Sequence, residues 1–254
     1  MPFARPLALA ILIVAALALG ACTAAPPPDT APADPVRLGE MLFHDPKLSE
    51  IGEIACATCH PRGGHTNNVT YVGLNEVPDG QSDGRSTPLL WGVRDTAPYS
   101  WGGKKTLEEN IKGIIVGRMK GPEPTQEQLD ALVAYLNSLE FPQNPNLNTG
   151  GAPTDAAPAA AKRGYEVFFK ASCNSCHVPP IFSKPDPEDI GSGGSFSVPS
   201  LRGLSTTAPY FHDGRYPNLR ALVPEKLRYL QQLGSTETFT EEEIEDLLAY
   251  LNIL

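Results

Sequence analysis

Two pentapeptides concentrate the reactive side chains of this chain, "CATCH" at 56–60 and "CNSCH" at 173–177. In each, two thiols stand three residues apart, near enough for one helical turn to present both, and an imidazole follows at once. Only Cys22 lies outside these strings. The pattern serves a zinc site, a redox dithiol or disulfide, or covalent attachment of haem through two thioethers with the histidine on the iron. Zinc would need the two pairs gathered from separate segments. A redox dithiol has no use for a histidine at the same offset twice. Haem attachment uses every one of these side chains: Cys56, Cys59, Cys173 and Cys176 as thioethers, and His60 and His177 as proximal ligands of two irons.

The surrounding chain is written twice. "RSTPLLWGVRDTAPYSWGGK" (85–104) parallels "FSVPSLRGLSTTAPYFHDGR" (196–215), and "TQEQLDALVAYLNSL" (125–139) parallels "TEEEIEDLLAYLNIL" (240–254). Each unit closes on a helix announced by a capping box, Thr125 with Gln128 and Thr240 with Glu243. Leu129, Leu132, Val133, Leu136 and Leu139 fall on one helical face, as do Ile244, Leu247, Leu248, Leu251 and Leu254. Each unit opens on another helical pattern, "VRLGEMLF" and "AKRGYEVFF", in which Gly39 and Gly164 permit close helix contact. Strand-like alternation is almost absent. The expected architecture is therefore mostly α, two tandem cytochrome c-like domains at 36–141 and 162–254, joined by a Pro/Ala-rich linker at 142–161.

Residues 1–21 read as an export signal, with Arg5 before an apolar run and then small residues. "LGAC" at 19–22 resembles a lipobox, which makes Cys22 the expected lipidation site, and 22–35 reads as a Pro-rich tether from the anchor. The expected location is periplasmic or cell-surface, as a lipoprotein of a Gram-negative-type bacterium. Against 20 Lys+Arg stand 29 Asp+Glu, a net charge of −9 with no basic block. Nucleic acid is thereby excluded as a partner.

The chain also resembles the bacterial diheme cytochrome c peroxidases and MauG. "LGEMLFHDPKLS", "SWGGKKTLEEN" and "TAPYFHDGRYPNL" carry the resemblance, which covers most of 36–254. It implies a haem in each domain, with peroxide reduced at the first by electrons relayed from the second. It further implies that Trp101 lies between the haems and that His212 packs near one of them as a cofactor-binding residue. Thr207 and Pro209 match a segment that helps hold calcium between the family's domains, although Ser86 stands where the family has an asparagine.

Two departures bear on function. Where the family has a glutamate before a methionine to assist O–O cleavage, this chain reads Arg118–Met119, so no catalytic acid is assigned. Met119 lies six residues before Thr125, in a loop rich in Gly and Pro, where ordinary cytochromes c place an axial methionine; it is the expected sixth ligand of the first iron. Met41, beside Leu38 and Leu42, reads as core. The second unit offers no such ligand, because 220–239 contains neither Met nor His; Tyr229 reads as a packed aromatic, His65 as a loop histidine and His44 as a turn residue.

The main expectation is thus an exported diheme c-type cytochrome passing single electrons between redox partners, a small cytochrome or a copper protein. The alternative is a peroxidase or MauG-like oxidase. The two differ in whether an iron is open to peroxide.

Overall fold

The computed structural model describes Met1 and residues 34–64, 66, 70–71, 85–191 and 193–254. The leader, most of the tether, Cys22 and His65 lie outside the described residues. In the first repeat the helices are α1 (Pro35–Phe43), α2 (Cys56–Cys59), α3 (Pro61–Gly64), α4 (Leu107–Lys112) and α5 (Gln126–Asn137). In the second they are α6 (Ala159–Lys170), α7 (Leu219–Gln232) and α8 (Glu241–Leu251). Among the described residues the strands form two antiparallel ribbons, β1 (Thr70–Tyr71) with β2 (Arg85–Ser86), and β3 (Lys184–Asp189) with β4 (Ser195–Val198). No described helix is long and apolar enough to cross a membrane.

Each repeat is built on a crossed pair of helices, α1 on α5 and α6 on α8. The paired glycines explain how close these pairs come. A Cβ on Gly39 would lie 2.0 Å from Ala131 O, and one on Gly164 would lie 1.8 Å from Asp246 O, so only glycine fits either crossing. Leu42, Phe43, Leu132 and Leu136 are buried around the first crossing, and Phe168, Leu247, Tyr250 and Leu251 around the second. Both capping boxes form: Thr125 Oγ1 accepts from Gln128 N at 3.2 Å, and Thr240 Oγ1 accepts from Glu243 N at 3.2 Å.

Met41 corrects the sequence reading, for it is 63% exposed. The buried face of α1 is Gly39, Leu42 and Phe43, and residue 41 points about 100° away from Leu42 on a 3.6-residue turn. Met119, by contrast, is buried. The stretch 142–161 has structure of its own against the second repeat: Asn144 Nδ2 donates to Ile253 O at 2.6 Å, Gly151 O accepts from Tyr250 Oη at 2.8 Å, and Leu147 joins the second core.

Candidate functional site

A largely apolar cavity of about 520 Å3 opens beside α2, within the range of cofactor pockets. Cys56, Cys59 and His60 line it, together with Ile111, Ile114 and Met119. Met119 reaches this place because α4 runs on into a π-helical turn, Gly113–Arg118, after which Met119 N donates to Ile114 O at 2.9 Å. Its own carbonyl accepts from Glu50 N at 3.0 Å, which ties the methionine loop to the segment leading into the cysteines. Arg118 lines the same cavity, where the peroxidase pattern called for a carboxylate.

The chemistry of the donors suits haem better than the alternatives. None of the four cysteines forms a disulfide. Burial pushes the Cys56 thiol up to about 11 and the Cys173 thiol to about 12, the reverse of the lowered values that make a dithiol reactive or metal-binding. Burial likewise holds the His60 imidazole down, to about 4, and lowers that of His177, so both are neutral bases suited to iron. The backbones of Pro88 and Pro199, equivalent positions of the two repeats, oppose that shift at His60 and His177 respectively. His177 Nδ1 bonds Phe182 O at 3.0 Å, leaving Nε2 for a ligand. His60 Nδ1 is buried with no hydrogen-bond partner of ordinary geometry, the kind of orphan that a bound group and small adjustments of its ring would resolve. Among the described residues no cluster of His, Cys, Asp and Glu could hold a metal ion.

The cavity is lined by both repeats in register. Thr96 and Thr207, Pro98 and Pro209, and Tyr99 and Tyr210 are three pairs of equivalent residues that all face it. The repeats meet there through matched bonds. Ser86 N donates to His212 O at 2.9 Å, and its mate Ser197 N donates to Trp101 O, the mate of His212, at 2.8 Å. Trp101 lines the cavity, and its Nε1 donates to Ser86 O at 3.0 Å. His212 is buried, stacked on Phe196 with ring centroids 3.7 Å apart. Ser86 Oγ donates to Pro209 O at 2.8 Å, so a direct bond spans the repeats at the place considered for calcium.

Residues 33–146 match the family described as di-haem cytochrome c peroxidase, and residues 161–254 match cytochrome c. MauG of Methylorubrum extorquens is 29% identical, over 90% of this chain and 81% of its own. Over most of its length the chain is a distant homologue of the di-haem cytochrome c peroxidases and MauG. The cytochrome c peroxidase of Escherichia coli is 26% identical over 90% of this chain, which spans 60% of that relative's length. A chain of Kuenenia stuttgartiensis hydrazine synthase shares the fold, with a TM-score of 0.71, 23% identity and coverage of 88% and 89% of the two chains. Within this di-haem family, then, the paired attachment motifs at 56–60 and 173–177 are the expected equipment.

The remaining candidates fall elsewhere. Tyr229 Oη donates to Asp189 O at 3.4 Å and its ring packs close against Gly191. His44 caps α1, its Nδ1 bonded to Glu40 O at 2.9 Å. Sequence reasoning missed the stacking of Phe196 on His212 and the matched serine amides. The signal was present in the repeat itself, which pairs Ser86 with Ser197 and Arg85 with Phe196, but nothing in a linear alignment tells that two equivalent segments face each other.

Proposed function

We propose that this is a diheme c-type oxidoreductase of the peroxidase class whose first haem, held by Cys56, Cys59 and His60, is closed by Met119 and serves electron transfer. The reactive iron is the second, held by Cys173, Cys176 and His177. The observation that carries this reading is the burial of Met119 in the wall of the cavity that also contains Cys56, Cys59 and His60. Haem supplies one-electron redox chemistry, and a histidine–methionine pair saturates its iron and raises its potential. The named relatives, peroxidases and MauG, favour an enzyme over a plain carrier. Arg118, standing where a carboxylate would assist bond cleavage, favours modest peroxide turnover over a fast peroxidase.

Each side chain has a stated task. His60 and His177 present neutral imidazoles, Met119 a soft sulfur, and the apolar walls exclude water. Trp101, beside His212, supplies packed polarizable rings between the two sites. Electrons would come from a small cytochrome or copper protein, and export with lipidation at Cys22 places the reaction outside the inner membrane.

The deciding experiment is carbon monoxide binding to the reduced holoprotein. One molecule bound per chain, retained after mutation of Met119 to a bulkier apolar residue and lost when Cys173 and Cys176 are both replaced by serine, is the expected result. Binding at the haem of Cys56 and Cys59 in the unmodified protein overturns the reading.

A further inference from the structure

The second repeat carries a polar counterpart of one end of the first cavity. Ser100, Lys105, Gly113 and Ile114 all line the cavity that contains Cys56, Cys59 and His60. Their mates in the second repeat, Phe211, Tyr216, Glu225 and Lys226, line a separate recess of about 130 Å3, with Arg215 and Arg228 beside them. Two anchors fix the correspondence. The bridge between Tyr99 and Lys105 recurs between Tyr210 and Tyr216. The buried Leu107, Ile111 and Ile115 after the cap Thr106 recur as Leu219, Val223 and Leu227 after the cap Asn218. Phe211 faces both spaces.

What differs is the origin of the amine. In the first repeat Lys105 reaches in from the loop, its Nζ 3.3 Å from where a Cβ on Gly113 would lie. In the second, a tyrosine replaces that lysine, and the amine comes instead from α7, as Lys226 in place of Ile114. Lys226 Nζ sits 4.2 Å from the centre of the Phe211 ring and 5.1 Å from that of Tyr229, and donates to Ile190 O at 3.5 Å. The neighbouring carboxylates are committed to arginines: Asp213 Oδ2 accepts from Arg215 Nε at 2.7 Å, and Glu225 pairs with Arg228. Burial, with Arg215 nearby, pushes the Lys226 amine down to about 8, and Glu225 only partly opposes it. Among the described residues no carboxylate forms an ion pair with this half-buried cation, Glu225 being turned to Arg228, and such a cation marks a place for an anion.

We propose that Lys226, with Arg215, is the docking point for a carboxylate of the second haem. The proposal rests on the haem at Cys173, Cys176 and His177 argued above. Haem carries two carboxylates at one edge of an otherwise apolar disc. The recess is lined by Arg215, Glu225, Lys226 and Arg228, whereas the first cavity as a whole is largely apolar. A site so rich in guanidinium and amine suits a carboxylate better than an iron atom.

The test is a spectroelectrochemical titration of holoprotein from wild type, Lys226→Met and Lys226→Arg, with the haem count taken first. A positive charge beside the porphyrin favours reduction, so K226M should keep two haems and an unchanged ferric spectrum while its second haem titrates at a lower potential. K226R should recover most of the shift. An unchanged potential in K226M with both haems present overturns the proposal and leaves the functional reading standing. So does a changed ferric spectrum with a new carbon monoxide site, which would make the amine an iron ligand. A shift that depends on added inorganic phosphate would assign the recess to a dissolved anion instead. One haem per wild-type chain overturns both the proposal and the reading beneath it.

Discussion

Trp101 and His212 occupy the same position of the two repeats and meet face to edge across the contact between them, their ring centroids 6.3 Å apart. Each also offers its carbonyl to the serine amide of the opposite repeat. The pair is therefore a seam between the repeats, made of two rings in edge contact and two matched backbone bonds.

The seam is expected to weaken in acid. Burial lowers the His212 pKa, and Arg85 and Arg215 lower it further against the opposing pull of Asp213. The imidazole is held neutral in the fold, so the unfolded chain takes up the proton first. Stability from this group is full above the ordinary histidine value, about 6.5, and is lost as pH falls from there toward the lower folded value. Thermal midpoints of the holoprotein at about pH 7.5 and about pH 5.5 should differ more for wild type than for His212→Asn; equal differences refute the assignment.

Met119→Ala should remove the weak charge-transfer band that a methionine sulfur gives with ferric iron, and leave the second haem's spectrum as it was. It should also add a second carbon monoxide site per chain. A wild-type protein without the band, or a variant that retains it, contradicts ligation by Met119.

Replacing Cys173 and Cys176 together by serine should halve the haem that remains with the polypeptide after extraction in acidified organic solvent. The same replacement at Cys56 and Cys59 should halve it equally. Loss of all colour from either variant would show that the attachments are not independent.

Gly164→Ala should destabilise the second repeat by about 1–3 kcal/mol, because the added methyl meets Asp246 O and must push α6 off α8. Gly39→Ala should do the same to α1 on α5. Denaturant midpoints of the holoprotein measure both, and a change within about 0.5 kcal/mol would mean that the helices separate at little cost.

Much of this fold was legible because the chain states it twice. The capping boxes of Thr125 and Thr240, the paired glycines and the apolar stripes are local signals, set by short-range geometry. Met41 was misread for the converse reason: Leu38 and Leu42 lie near it in sequence, but the face of α1 that is buried is chosen by the partner helix α5. At the site, the attachment motifs and the loop placement of Met119 were readable, whereas the pairing of Phe196 with His212 and the migration of an amine from Lys105 to Lys226 depend on which walls the folded chain brings together.

The matched bonds of Ser86 and Ser197 are isologous, the contact that two copies of one short chain make about a two-fold axis. Joined in a single chain, the halves no longer have to stay alike. A symmetric dimer would have to carry the same ring on both sides of its axis. Here an indole faces an imidazole, so the two halves of the molecule are chemically distinguishable at the contact they share.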